Sequence, residues 1–327
     1  MAATLARAGI RSVALGLALE LDPAIDVPGL PPAKAAALAG LPLTRVRLDA
    51  GELRRRWRAV EHGAERAREL RDGDEVTLTV DLADPAGYLL HAPGFARILV
   101  APDGGELLCE PEREGSEWTT LVFAQALPLA ATLRGLEVLH ASAVAPPGGA
   151  LGGGAALFTG PQGAGKSSLA AALVRRGARL LADDTVAMQS RGGDLLAHSG
   201  AALLQLRAGE HERLRYSGHA ELGPGANVLG KHRFAVDLRA GTAPFGGLFL
   251  LERSPDGPAL ERIEQVDPFA LLATTFNLSV RTPERLTRHL DLVAELAATR
   301  RVFRVRIHPG TDATQLADIL LERLPEL

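Results

Sequence analysis

Cysteine, aromatic residues and lysine are all scarce in this chain. Cys109 is the one cysteine among 327 residues. A single cysteine forms no intrachain disulfide and leaves no cysteine cluster for a structural zinc site. It lies in the apolar stretch Leu107-Leu108-Cys109 and reads as a packed core residue rather than a reactive thiol. Aromatics make up only 4%, so Leu, Ala and Val must fill most of the core. Of 36 basic residues, only Lys34, Lys166 and Lys231 are lysines. No apolar run approaches the ~20 residues of a membrane span. Basic and acidic residues nearly cancel, for a net charge of −3. That balance gives no basis for a nucleic-acid or anionic-membrane partner. No repeat of solenoid length is visible. The amino-terminal stretch MAATLARAGIRSVALGLALELD has a short apolar run closed by Glu20 and Asp22, with no convincing small-x-small cleavage site. The expectation is a cytoplasmic protein.

What is present points to a large core, with 46% apolar residues over a length that suits one large domain or two ordinary ones. The pattern suggests a β-rich accessory region over 1–130 and an α/β domain over 131–327. In the first region, Gly51 to Asp72 is crowded with Arg and Glu and reads as an exposed helix. Val76, Leu78 and Val80 alternate with polar residues, which predicts a strand. Two more strands, Phe95–Val100 and Glu106–Glu110, flank the turn Pro102-Asp103-Gly104-Gly105. Residues 119–134 are apolar at helical spacing, with Pro128 expected to kink or break the helix.

The second region begins with a predicted strand over Val138–Ala145, the loop PPGGALGGG, and a buried strand AALFT. Then come Gly160-Pro161-Gln162-Gly163-Ala164-Gly165-Lys166-Ser167 and the helical run SLAAALVRR, stopped at Gly177. The octet satisfies G-x-x-x-x-G-K-[ST] at every fixed position, in the strand–loop–helix context the motif requires. Its glycines let consecutive backbone N–H groups turn inward around phosphate oxygens, and the helix start adds a positive dipole end. Lys166 would reach the β- and γ-phosphates, and the Ser167 hydroxyl would ligate Mg²⁺, with Ser168 completing the ATP-binding turn.

Leu180–Ala182 reads as a strand ending in Asp183-Asp184. As a parallel neighbour of the loop-bearing strand, it would bring both acids to the phosphate edge. One could then hold Mg²⁺ and the other accept a proton from an attacking hydroxyl. His140 is placed by register. The strands 138–145 and 155–159 share a connection centred near residue 150, too short for a parallel crossover, so they should form an antiparallel hairpin. His140 then lies beside Gly160. Further on, Phe245–Arg253 and Ala259–Ile263 are expected to form a hairpin around Pro255-Asp256-Gly257, Thr282-Pro283-Glu284 to open a helix, Val302–Ile307 to form a strand, and 311–324 a closing helix. Lys231 is a second basic candidate for the ATP phosphates, and Arg281 a weaker one.

The run Leu139-His140-Ala141-Ser142-Ala143-Val144, the phosphate loop, and Arg175-Arg176-Gly177-Ala178-Arg179-Leu180-Leu181-Ala182-Asp183-Asp184 together resemble the catalytic domain of the HPr kinase/phosphorylase family and its broader relatives. The resemblance is strong over about 136–190 and looser to about 320. It implies the phosphate-loop α/β fold shared with phosphoenolpyruvate carboxykinase, ATP and Mg²⁺ as cofactors, and phosphorylation of a serine-type hydroxyl. A homo-oligomer is also implied. By the same resemblance, Asp183 is the proton acceptor, His140 its supporting partner, Lys166 the phosphate-binding lysine and Ser167 a Mg²⁺ ligand. The family's metal-binding glutamate falls at Gln205, in Leu204-Gln205-Leu206-Arg207-Ala208, where a neutral side chain is a poorer ligand and Asp184 would compensate. The amino-terminal region does not match the family's accessory domain, which leaves the acceptor open among peptide, protein and small molecule. Two other readings stand beside this one: another phosphate-loop small-molecule kinase or regulatory ATPase, and a nucleotide-sensing module. The absence of Asn-Lys-x-Asp counts against a GTPase, and that of Leu-Ser-Gly-Gly-Gln against a transporter ATPase.

Overall fold

The computed structural model describes residues 10–25, 29–30, 32–207, 209–210, 212, 221–224, 232–236, 238, 241–276 and 279–327. The chain forms two compact units, Met1–Arg134 and Gly135–Leu327.

The first unit is built on one eight-stranded sheet. In chain order its elements are β1 (Ile10–Ala14), β2 (Leu17–Leu21), α1 (Ala35–Leu38), β3 (Leu43–Leu48), α2 (Ala50–Arg58), β4 (Glu65–Asp72), β5 (Glu75–Ala83), β6 (Gly87–Ala92), β7 (Ala96–Val100), β8 (Glu106–Pro111), α3 (Thr119–Leu121) and α4 (Leu127–Leu133). The strand order is β1-β2-β3-β8-β7-β6-β5-β4. Asp49 caps α2 by accepting the Glu52 N–H, and Leu53 is buried with Leu89, Leu99 and Leu108. The expected helix to Asp72 ends at Arg58 instead, and Glu65–Asp72 forms edge strand β4. Its Arg and Glu favour a helix locally, but pairing with β5 decides the outcome, and Arg66 bridges to Asp81 across the pair. A charged edge also discourages pairing with other chains. Pro128 sits in the first turn of α4 rather than at a break, and the irregularity falls upstream as a π-turn over Val122–Ala126. Proline lacks the N–H that a regular ladder would need there.

The second unit is mixed α/β. Its strands are β9 (Glu137–Leu139), β10 (Ala141–Ala145), β11 (Ala155–Thr159), β12 (Arg179–Ala182), β13 (Val186–Arg191), β14 (Asp194–His198), β15 (Leu203–Leu206), β16 (Glu221–Pro224), β17 (His232–Ala235), β18 (Thr242–Arg253), β19 (Ala259–Arg262) and β20 (Val302–Ile307). The helices are α5 (Lys166–Val174), α6 (Pro268–Leu272), α7 (Pro283–Ala298) and α8 (Ala313–Arg323). The main sheet runs β12-β10-β11-β18-β14-β13-β9, with β20 on β18 and β19 on β20; β15-β17-β16 form a smaller sheet.

Two apolar clusters sandwich the main sheet, and the two-residue period of its strands feeds both. Ala156, Phe158, Phe249 and Phe303 join Leu169 and Leu173 of α5 and Leu316 and Leu320 of α8. Ala155, Leu157, Leu248 and Val302 face the other way, onto Leu292, Val293 and Leu296 of α7. Few aromatics are needed because they are concentrated: Phe249 stacks on Phe303 with ring centroids 4.9 Å apart and meets Phe158 at 5.4 Å. Each such fully buried side chain contributes about 1.5–3 kcal/mol by area.

Three expectations for this unit are corrected. The strand expected over Val138–Ala145 is two strands, broken at His140: β9 pairs with β13, whereas β10 pairs with β11 and β12. β12 is not the neighbour of β11, because β10 lies between them; the parallel neighbour of β11 is β18. The hairpin expected from β18 and β19 does not form, because β20 inserts between them, parallel to β18 and antiparallel to β19. The α7 start is as the sequence suggests, with Thr282 capping the Arg285 N–H. The closing helix begins with a capping box between Asp312 and Gln315.

Candidate functional site

The glycine-rich octet joins the end of β11 to the start of α5. Gly160, Gly163 and Gly165 all have positive φ, at 150°, 81° and 101°. At Gly160 space is limiting as well: a Cβ there would lie 2.5 Å from the Leu251 carbonyl oxygen of β18. Pro161, Gln162 and Gly163 are exposed at the tip, while Ala164 is buried and its N–H closes a turn on the Pro161 carbonyl. The first N–H groups of α5, from Lys166, Ser167 and Ser168, belong to a helix start, where no intrahelical carbonyl is available to them. Lys166 is 8% exposed, and its Nζ donates to the carbonyls of Gly160 at 2.9 Å and Pro161 at 3.2 Å. Its ammonium therefore sits at the mouth of the loop.

His140 and the aspartates reach this edge through a shared feature of the sheet. The register pairs Ala141 with Thr159 and Val144 with Ala156, so continuing it one step sets His140 opposite Gly160, as the hairpin arithmetic requires. The Thr159 hydroxyl donates to the His140 carbonyl at 2.9 Å. At His140 the chain leaves the β13 pairing for the β11 and β12 pairings. Asp183-Asp184-Thr185 is the matching step on the next strand, between β12 and β13. The two steps meet. His140 Nδ1 lies 3.0 Å from the Asp184 carbonyl and 3.6 Å from its carboxylate. A carbonyl only accepts, so Nδ1 carries a proton in this contact. Asp184 adopts φ 70°, the left-handed conformation that an Asp tolerates better than most residues.

Asp183 is held on both oxygens. The Ser142 hydroxyl donates to Oδ1 at 2.6 Å, and the Gln205 backbone N–H donates to Oδ2 at 3.1 Å. Gln205, expected as a metal-side residue, thus meets Asp183 through its main chain. Its cross-strand partner is Arg233, which is 4% exposed. Among the described residues no group of three or more His, Cys, Asp or Glu side chains converges as a metal site. Of the residues expected to hold Mg²⁺, Ser167 is half-buried in the first turn of α5 and Asp184 half-buried at the step between β12 and β13; each offers the kind of oxygen donor that such a cation takes. Lys231 lies outside the described residues, and Arg281 is exposed just ahead of the Thr282 cap.

A second layer lies behind His140. The His140 N–H donates to the Thr274 carbonyl at 2.7 Å, and Phe276 N–H donates to the Val138 carbonyl at 2.9 Å, so 274–276 form a short bridge along β9. The His140 and Phe276 rings are 6.1 Å apart. Beneath this bridge, His289 of α7 meets the Thr275 hydroxyl at 2.6 Å. Glu137 of β9 lies 3.1 Å from both Arg285 and Arg288 of α7. Burial, reinforced by the Arg285 charge, lowers the His289 pKa to about 4. Burial raises the Glu137 pKa against the pull of Arg285 and Arg288, and lowers that of Arg285 against the pull of Glu137.

Sequence reasoning missed Ser142 and Glu137. Both carried a signal: a hydroxyl and an acid inside otherwise apolar strands, which must find partners once buried.

The fold and site define a mixed α/β domain with a glycine-rich strand–loop–helix facing a histidine and two aspartates. No protein-family model matches the chain, and no curated protein matches it. The solved structure of the Hpr(Ser) kinase/phosphatase from Coxiella burnetii is similar to it at 14% identity, over 57% of this chain and 92% of that one, with a TM-score of 0.29.

Proposed function

We propose that the Gly135–Leu327 unit is an ATP-dependent kinase domain that transfers γ-phosphate to a serine-type hydroxyl of a peptide, protein or small molecule. The observation that carries this reading is the meeting of the two sheet steps at the phosphate loop: His140 stands opposite Gly160, and Asp183, held by Ser142 and Gln205, ends the strand beside it.

Each group has a role in in-line transfer. The backbone N–H groups of 160–168 cradle the phosphates. Lys166 exchanges its Gly160 and Pro161 carbonyls for β- and γ-phosphate oxygens. Asp183 takes the proton of the acceptor hydroxyl as its oxygen attacks phosphorus. His140 fixes the Asp184 turn from its Nδ1 side. Mg²⁺, held by Ser167 and Asp184, would neutralise charge on the phosphates. The exposed tip at 161–163 leaves a nucleotide free to enter.

The test is incubation with γ-labelled ATP, Mg²⁺ and a panel of hydroxyl acceptors. Label on an acceptor is the expected result; label released only as free phosphate, whatever the acceptor, would favour a regulatory ATPase. Lys166→Ala should weaken nucleotide affinity and turnover together. Asp183→Asn should abolish transfer with ATP binding nearly intact, and equal loss of both would overturn the base assignment.

A further inference from the structure

Ser142 lies in the middle of β10 and is fully buried between Ala141 and Ala143. Its cross-strand neighbour on one side is Phe158. On the other side, the pairing of Ala143 with Ala182 brings Ser142 level with Asp183. A hydroxyl with no access to water must bond within the protein. This one donates to Asp183 Oδ1 at 2.6 Å, a length typical of a hydroxyl donating to a carboxylate. The Gln205 N–H holds Oδ2 from the edge of β15, at 3.1 Å. Two donors on different oxygens, from two different sheets, fix the plane.

We propose that Ser142 is a positioning residue for Asp183, setting the orientation in which that carboxylate meets the acceptor hydroxyl. The proposal rests on the kinase reading and on Asp183 as its base. In the transfer step the acceptor oxygen forms its bond to the γ-phosphorus, and the bond from that phosphorus to the bridging oxygen breaks. ADP leaves with the electron pair, and the acceptor proton passes to the Asp183 carboxylate and on to water. Ser142 keeps its own proton throughout and acts only through Asp183.

A matched pair of substitutions separates the hydroxyl from packing. Ser142→Thr and Ser142→Val add the same bulk, and only the first keeps the donor. Ser142→Val is expected to lower kcat by about 10²-fold, the cost of misplacing a reacting group by roughly 1 Å. Its ATP dissociation constant should stay within a few-fold of wild type. Ser142→Thr should recover kcat to within several-fold of wild type. Ser142→Ala, which adds no bulk, should match the valine variant in kcat. Thermal melts and nucleotide binding confirm that each variant is folded. Equal kcat in the threonine and valine variants, at either a high or a low value, would overturn the proposal. Asp183→Asn, assayed alongside, reads the base assignment separately. Full transfer in Asp183→Asn overturns that assignment, whereas transfer lost there but kept in Ser142→Val overturns only the role of Ser142.

Discussion

Removing the Glu137 carboxylate is expected to cost far more than removing it together with its partner. Glu137 and Arg285 are each only 3% exposed and 3.1 Å apart, with Arg288 at 3.1 Å on the other oxygen. Burial outweighs mutual attraction at both ends, since Glu137 is pushed up and Arg285 down. The pair is therefore a poor source of net stability, yet breaking it strands a charge. Glu137→Leu alone leaves the Arg285 guanidinium buried beside His289, at an expected cost of ~3–5 kcal/mol. Glu137→Leu with Arg285→Met removes both charges and keeps the volume, and should come within ~1 kcal/mol of wild type. Urea unfolding of the two single variants and the double variant closes the cycle. The probe must be far-UV circular dichroism or hydrogen exchange, because Trp57 and Trp118 are the two tryptophans and both lie in the first unit. A single variant that loses under ~1 kcal/mol, or a double variant that loses the sum of both singles, would refute the reasoning.

Other outcomes follow from the same contacts. His289 is neutral in the fold, with a pKa near 4 against 6.5 unfolded. Its contribution is fully present above pH 6.5 and is lost as pH falls toward 4, a difference of ~3 kcal/mol. His289→Gln should flatten the stability curve between pH 7 and 5, and an unchanged curve would refute this. Burial raises the Cys109 thiol pKa, so native protein should resist thiol reagents at pH 8 and react once unfolded; stoichiometric labelling of the native chain would contradict it. Gly160→Ala places a Cβ against the Leu251 carbonyl and should weaken ATP binding at least tenfold in titration calorimetry. Thr282→Ala removes the α7 cap and should cost ~1 kcal/mol by the same urea assay.

Much of the site was legible because it is local. The octet, the flanking strand and helix, and the His140–Gly160 register all follow from contiguous residues and one short loop. What was not legible depends on partners far along the chain. The break at His140 exists because β9 takes β13, some 50 residues on, while β10 takes β11 and β12. The false hairpin at 245–263 arises because β20, encoded later, enters between the two strands. The false helix at 59–72 reflects Arg- and Glu-rich sequence whose own preference is overridden by β5. Ser142 and Glu137 were visible as polar residues in apolar strands, but their partners were not, since nothing local ties Ser142 to residue 183 or Glu137 to residue 285.

The paired steps at His140 and at Asp183–Thr185 bear on which changes in chain length the second unit tolerates. A residue inserted at the exposed β13–β14 tip, Gly192-Gly193, or in the exposed stretch Pro147–Gly149 ahead of buried Leu151, only lengthens a connection. One inserted between Leu139 and Ala141, or between Ala182 and Val186, turns every following side chain of its strand to the opposite face until the next turn absorbs it. It would also pull Nδ1 of His140 away from the Asp184 carbonyl. Homologous chains should therefore vary in length at the two tips and hold their spacing across both steps.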